Sequence, residues 1–208
     1  MPDIAASAAT GAASVATSGI ASAAAPDEQQ VLADECAVDA RRFVDTVSVV
    51  AAGEAPQAAL AMTLLGLSQV LVMGAHLGAI QDVVLAERFE ADPGPDAELD
   101  GLRAGLAQMF EGLDDYADVV DPVTDATLTS GSLSNDLTII TSALTHGLVH
   151  HEAGRCDEAL WWWQFSYLAD WGERAAMALR VIHSLLAHVR LDADEDIVAE
   201  AEFDALHP

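Results

Sequence analysis

The spacing of apolar residues predicts an amphipathic first helix from residue 29 to residue 52. Apolar side chains in this stretch recur with helical spacing, and aspartates lie between them. Such a pattern places the apolar side chains on one face of an α-helix. Gly53 ends the helix, and Pro56 lies in the first turn of the next one, where a missing N–H is tolerated. The apolar positions are Val31, Leu32, Val38, Phe43, Val47 and Val50.

A second helix is predicted to run to about Val84 and is apolar on most sides. Residues 55–81 contain no charged side chain and are numerous enough to cross a membrane. However, the flanking residues Glu54 and Asp82 are acidic, and no Lys or Arg anchors either end. We therefore interpret this stretch as a buried core helix and not as a membrane span. A neighbouring backbone is expected to approach closely at its glycines, Gly66, Gly74 and Gly78.

The middle of the chain predicts two further helices separated by a polar loop. Asp96 follows a turn-rich loop and is a suitable cap for a third helix, which stops before Pro122. Residues 121–131 are polar and are interpreted as a loop. Ser132 or Ser134 then caps the fourth helix.

The fifth predicted helix begins near Cys156 and contains all 4 tryptophans of the chain within residues 160–172. Because each residue turns the helix by about 100°, the aromatic side chains fall on two separate faces. A helix that is apolar on most sides is expected at the centre of its bundle, and the alternative is an exposed aromatic patch that binds a partner. Residues 170–173 predict a break and a capping box, followed by a last helix to Arg190. One face carries Cys156, Leu160, Trp163, Tyr167 and Trp171, and the other carries Trp161, Phe165 and Leu168.

A single motif spanning the fourth and fifth helices has the spacing of a tetratricopeptide-like hairpin. Gly147, His150 and Gly154 are followed by residues 157–160 and Trp163. Because no second copy occurs at a fixed period, the motif predicts two antiparallel packed helices and not a repeat array.

These elements together predict an all-α protein. We expect one helical bundle of about five or six helices, without a β-sheet, over residues 29–190. Residues 1–28 are rich in Ala and Ser and are expected to be a disordered tail. Residues 191–208 form an acidic C-terminal segment.

The charge of the chain limits its partners. The 208 residues include 34 acidic and 8 basic side chains, giving a net charge of -26, and every basic residue is Arg. Such a surface repels phosphates, so direct binding of nucleic acid or of anionic lipid is not expected. The acidity is explained either by solubility or high-salt adaptation or by a basic partner.

Targeting and redox features favour the cytoplasm. The chain begins without a positive charge before Arg41, which argues against a signal peptide. Cys36 and Cys156 are too few for a disulfide framework, which favours a reducing compartment.

Candidate chemistry is sparse. His146 and His150 lie one helical turn apart and are the only residues with plausible metal-ligand spacing, but no further metal motif accompanies them. We expect no metal and no cofactor. Nucleophile and phosphate-binding motifs are absent from the sequence, so no catalytic residue is assigned. Asp136 lies at the start of the fourth helix, where a carboxylate complements the helix dipole.

Several short motifs resemble the bacterial family called domain of unknown function 5063. The resemblance covers about residues 35–190 and implies an all-helical soluble protein with no assigned activity, cofactor or catalytic residue. The tryptophan run in residues 158–168 is its most specific part. The shorter matches are Trp171-Gly172, Ala178-Leu179-Arg180, Leu133-Ser134-Asn135-Asp136-Leu137, Arg88-Phe89-Glu90 with Asp92, and Asp115-Tyr116 before Asp121-Pro122.

Two functional hypotheses follow. The first is a cytoplasmic, non-catalytic protein-interaction or regulatory module built around the tryptophan-rich helix, with an unidentified protein partner; a homo-oligomer is compatible with it. The alternative is an enzyme or small-ligand-binding protein whose pocket, beside the same helix, uses Trp162, Gln164, Arg180 and His150. The candidate interaction or ligand residues are Trp161, Trp162, Trp163, Gln164, Trp171, Arg180 and Asp136.

Overall fold

A computed structural model describes residues 26–80, 82–85, 99–121 and 123–191 of the chain. This part contains six α-helices and one two-stranded antiparallel sheet. A short 3-10 turn, Pro56–Ala58, precedes the second helix, and a π-helical turn, Tyr167–Trp171, joins the last two. The elements are α1 Pro26–Ala51, α2 Ala59–Ala79, α3 Asp100–Met109, β1 Asp115–Asp121, β2 Asp125–Ser132, α4 Leu133–Glu152, α5 Cys156–Ser166 and α6 Gly172–Leu191.

The bundle is built around α1 and α4. Helix α1 packs against α2, α3, α4 and α5, while α4 packs against α1, α3, α5 and α6. Helix α6 lies along α2 and closes the bundle on that side. The mostly helical architecture confirms the predicted fold class.

The apolar face predicted for the first helix is only partly correct. Phe43, Val47 and Val50 are buried as expected, whereas Val31 is 53% exposed and Val38 is 51% exposed. Alanines fill the corresponding core positions, because a small side chain lets neighbouring helices approach closely. The buried alanines of α1 are Ala33, Ala37 and Ala40.

The hairpin of β1 and β2 corrects three predictions. There is a sheet, residues 125–131 are strand and not loop, and the third helix ends at Met109 instead of continuing to the residue before Pro122. The two strands pair from Asp115 opposite Ser132 to Asp121 opposite Asp125. The side chains of β2 are mostly exposed on both faces, so the strand lacks the apolar and polar alternation that identifies a half-buried strand in sequence. The β-branched residues of β2 were the sequence feature that could have indicated a strand.

Helix α2 ends at Ala79 and not near Val84. Pro56–Ala79 passes a test of length and composition for a membrane span, but α2 packs against α1 and α6 in the described bundle. Its glycines accommodate aromatic rings and not a neighbouring backbone. A Cβ on Gly66 would lie 3.5 Å from the ring of Phe43, and one on Gly74 would overlap the ring of Tyr167.

No break separates the fifth helix from the sixth. The π-helical turn Tyr167–Trp171 continues directly into α6, and Asp170 accepts a hydrogen bond of 2.7 Å from Arg174 Nε instead of capping a new helix. The glycine at 172 suggested a break, but its role is steric. A Cβ on Gly172 would lie 2.6 Å from the carbonyl oxygen of Tyr167.

The described residues allow only some of the predicted boundaries at the two ends of the chain to be compared with the structure. Residues 26–28, assigned to the tail from sequence, belong to α1, and α6 ends at Leu191. The rest of the predicted tail, the Asp96 cap and residues 192–208 lie outside the described residues.

Candidate functional site

Three of the tryptophans are structural anchors of the bundle. Trp163 and Trp171 are fully buried, and Trp162 is half-buried. The indole N–H of Trp163 donates to Leu144 O at 3.1 Å, and that of Trp162 donates to Ala143 O at 2.9 Å. These bonds satisfy the polar end of each buried indole, as burial of tryptophan requires. The helices α4 and α5 run antiparallel, as the hairpin motif predicted, since His150 contacts Glu158 while the earlier His146 contacts the later Trp162.

The opposite face of the tryptophan-rich helix is partly exposed. The rings of Trp161 and Phe165 are stacked with centroids 5.2 Å apart and an interplanar angle of 2°. Phe165 is 52% exposed, Leu168 is 62% exposed, and Val84 beside them is 85% exposed. We call Trp161, Phe165, Leu168 and Val84 the aromatic patch. The helix is therefore central in the bundle on one side and partly exposed on the other.

The aromatic patch lines a surface cavity of about 560 Å³. The side-chain amide of Gln164 fixes the backbone on one side of this cavity. Its Nε2 donates to Leu77 O at 2.8 Å, and its Oε1 accepts from Val83 N at 2.8 Å. The segment 82–85 is thereby held against α5 after α2 ends. The lining residues are Asp82, Val83, Val84, Leu85, Trp161, Gln164, Phe165 and Leu168.

The charge around the aromatic patch is negative. Asp82 lines the cavity, and among the described residues no Arg or His does. Asp157 is exposed and lies four residues before Trp161, which places it on the same stripe of α5. The patch is thus an apolar surface with carboxylates at its border.

A polar cluster lies under the hairpin, centred on Asp136. This carboxylate is 3% exposed at the first turn of α4 and accepts a hydrogen bond of 2.5 Å from the hydroxyl of Tyr116 and one of 3.0 Å from Arg174 Nη1. Burial raises the pKa of Asp136, while the hydrogen bonds from Tyr116 and Arg174 act in the opposite direction. Burial and the bond to Asp136 also raise the pKa of Tyr116. Asp136 therefore joins β1, α4 and α6, a larger role than complementing the helix dipole.

Serine and aspartate side chains cap α4 beside this cluster. Ser132 is the N-cap, and its Oγ accepts from Asn135 N at 3.2 Å. Asp114 accepts from Ser134 N at 2.7 Å and from the hydroxyl of Ser132 at 3.0 Å. These bonds satisfy backbone donors that the first turn of a helix otherwise leaves without partners.

His150 of α4 contacts a carboxylate, and His146 of the same helix contacts an aromatic ring. His150 Nδ1 lies 3.0 Å from Glu158 Oε2, and burial lowers the pKa of His150, with the charge of Arg155 acting in the same direction. His146 packs edge-on against Trp162, with ring centroids 4.9 Å apart. Within the described ranges, no group of at least three His, Cys, Asp or Glu side chains is arranged to hold a metal ion.

Arg180 lies in a different part of the molecule. It lines a second cavity of about 320 Å³ between α6 and the start of the hairpin, and no described residue lines both cavities. The structure therefore does not bring Arg180 to the cavity beside Trp161. In that cavity Gln164 already binds Leu77 and Val83.

Three residues of these sites were not singled out from sequence as candidates: Phe165, Tyr116 and Arg174. Phe165 was assigned to an aromatic face, and its position four residues after Trp161 was the signal for the stacked pair. Tyr116 appeared only within a short family motif. Arg174 carried no sequence signal that linked it to Asp136, which lies 38 residues away.

The fold and these sites define a mostly helical bundle protein with a small β-hairpin, an exposed aromatic patch and a buried aspartate cluster. The chain belongs to the family Domain of unknown function (DUF5063), which matches residues 27–188, as the sequence motifs predicted. It is also similar to the crystal structure of protein BF1032 from Bacteroides fragilis, with 16% sequence identity and a TM-score of 0.59 over 77% of this chain and 93% of that chain. A search of the curated proteins finds no match.

Proposed function

We propose that this protein is a non-catalytic interaction module whose aromatic patch binds a basic, amphipathic segment of a partner protein. The observation that carries the proposal is the stack of the half-buried Trp161 on the exposed Phe165, beside the exposed Leu168 and Val84. Exposed contiguous apolar side chains commonly mark interaction sites, and aromatic residues dominate binding energy at interfaces.

The charge of the chain supports a basic partner. Asp82 and Asp157 border the patch, and the whole chain carries a net charge of -26. Complementary charge steers a basic partner to the patch and disfavours acidic ones, including a second copy of this chain. The free thiols of Cys36 and Cys156 support a cytoplasmic location for this interaction.

The proposal is tested with two designed helical peptides that share one apolar face, one with lysines and the other with glutamates on the polar face. Binding is measured by fluorescence anisotropy against the wild type, the double variant W161A/F165A, and the matched control L65A/V72A. Leu65 and Val72 are 63% and 72% exposed on α2, and neither lines the cavity beside Trp161. All three proteins carry the same charge, so unspecific attraction of the lysine peptide is equal among them.

We expect the lysine peptide to bind the wild type and L65A/V72A equally, and W161A/F165A at least about tenfold more weakly, since each lost aromatic anchor costs more than about 1 kcal/mol. Equal binding to all three proteins, or no binding of either peptide, would contradict the proposal. Self-association of the wild type that W161A/F165A abolishes would assign the patch to a second copy and also overturn it.

A further inference from the structure

The second cavity combines apolar walls with two charged side chains. It lies between α6 and the first residues of the hairpin, and its volume of about 320 Å³ is at the lower end of the range of small-molecule sites, roughly 300–1,000 Å³. Met177, Val181 and Leu185 of α6 and Leu113 supply its apolar wall, while Arg180 and Asp115 also line it.

Both charged side chains are exposed, and no ion pair within the described part of the chain neutralises either of them. Within the described residues, Arg180 and Asp115 form no ion pair with each other or with any other group, although both line the cavity. In contrast, most of the other described arginines are paired with carboxylates, namely Arg41, Arg42, Arg103, Arg155 and Arg174. The cavity therefore offers one guanidinium and one carboxylate to a ligand.

We propose that this cavity binds a small zwitterion with an apolar body, of the amino-acid type. The guanidinium of Arg180 matches a ligand carboxylate, which it can bind through two N–H groups, and the carboxylate of Asp115 matches a ligand ammonium. The apolar part of the ligand packs against Met177, Val181 and Leu185. This site goes beyond the proposed interaction function, because the described residues that line the two cavities are all different.

The overall charge favours a zwitterion over a singly charged ligand. A simple anion is repelled by the net charge of -26 and faces Asp115 inside the cavity. A simple cation is attracted to carboxylates all over the surface and gains nothing from Arg180. A molecule with both charges satisfies both side chains and carries no net charge.

The test uses the full-length protein and isothermal titration calorimetry with three probes of the same apolar body. L-Phenylalanine carries both charged groups, 3-phenylpropionate lacks the ammonium, and 2-phenylethylamine lacks the carboxylate. The variants are R180Q and D115N, with R190Q and E173Q as matched controls. Arg190 and Glu173 are exposed on α6, and neither lines the second cavity. Thermal melts establish that each variant is folded.

We expect one saturable site for L-phenylalanine, weakened about tenfold or more by R180Q and by D115N, because each removes a charge-assisted hydrogen bond. R190Q and E173Q are expected to bind like the wild type, and both single-charge probes more weakly than L-phenylalanine. The absence of saturable binding, an equal loss in the control variants, or a single-charge probe that binds as tightly as L-phenylalanine would overturn the proposal.

Discussion

The hydroxyl of Tyr116 donates a hydrogen bond of 2.5 Å to the buried carboxylate of Asp136. Tyr116 is on the first strand of the hairpin, and Asp136 is in the first turn of α4, so this bond fastens the hairpin to the bundle. A two-stranded hairpin is marginally stable by itself in water and needs such packing. Gly131 makes the contact feasible, because a Cβ there would overlap the ring of Tyr116 that lies across the strand pair.

Replacing Tyr116 with Phe is expected to lower the free energy of unfolding by about 1.5–3 kcal/mol, because a buried carboxylate loses a hydrogen bond. The matched control is Tyr167→Phe. In the described part of the chain, the Tyr167 hydroxyl forms no hydrogen bond while its ring packs against Trp171, with centroids 4.8 Å apart. The control should change stability by less than about 0.5 kcal/mol. Urea denaturation measures both, and equal effects would show that the bond to Asp136 contributes nothing.

Asp136 is expected to make stability depend on pH. Its pKa is raised in the folded protein above the ordinary value of 3.8, so the folded state binds its proton more tightly than the unfolded state does. The resulting contribution to stability is fully present below pH 3.8 and is lost as the pH rises through the raised pKa. The stability advantage of the wild type over Asp136→Asn should therefore decrease as the pH rises.

Asp121 provides a control whose contribution to stability changes with pH in the opposite direction. Hydrogen bonds from Thr124 and from the backbone lower the pKa of Asp121 below its ordinary value of 3.8. Its contribution is present above that value and is lost as the pH falls through the lowered pKa. The advantage of the wild type over Asp121→Asn should therefore decrease as the pH falls. Parallel pH trends for the two variants would refute the assignment for Asp136.

The helices were predictable from sequence because burial on one side leaves a regular apolar period. The hairpin was not, since Leu128 is 75% exposed, Val123 is 89% exposed, and β2 has no buried face that would impose alternation. Its strands are held by backbone pairing and by Tyr116. The contacts of Tyr116 and Arg174 with Asp136 span 20 and 38 residues, and local periodicity carries no information on such pairs.

The tryptophan-rich helix was predictable in composition but not in orientation. Periodicity separated the face of Trp163 from that of Trp161, yet it could not tell which face the bundle would cover. Gly147 decides this packing, because the absence of a Cβ leaves room for the indole of Trp163 against α4. The cavity beside Trp161 depends on Gln164 binding Leu77, 87 residues away in the chain.

Replacing Gly147 with Ala is expected to destabilise the protein by about 1–3 kcal/mol, because the added Cβ would overlap the indole ring of Trp163. The higher helix propensity of Ala offsets at most about 1 kcal/mol of this loss. Gly101→Ala in α3 is the control, since a Cβ there meets no atom within 4 Å. The control should be neutral or slightly more stable. A Gly147→Ala variant that melts at or above the wild-type temperature would contradict the packing described for the hairpin of α4 and α5.

Thr63 offers a stabilising change. It is 1% exposed on α2, and its hydroxyl has no hydrogen-bond partner in the described part of the chain. A buried polar group without a partner costs about 1–3 kcal/mol, so Thr63→Val, which replaces the hydroxyl by a methyl group of similar size, should raise the free energy of unfolding by about 1 kcal/mol. Thr138→Val is the matched control, because the buried hydroxyl of Thr138 donates to Ser134 O at 2.6 Å and its removal gives no such gain. Thermal denaturation should therefore rank Thr63→Val above the wild type and Thr138→Val at or below it. If both variants shift the melting temperature alike, the hydroxyl of Thr63 is not the source of the difference.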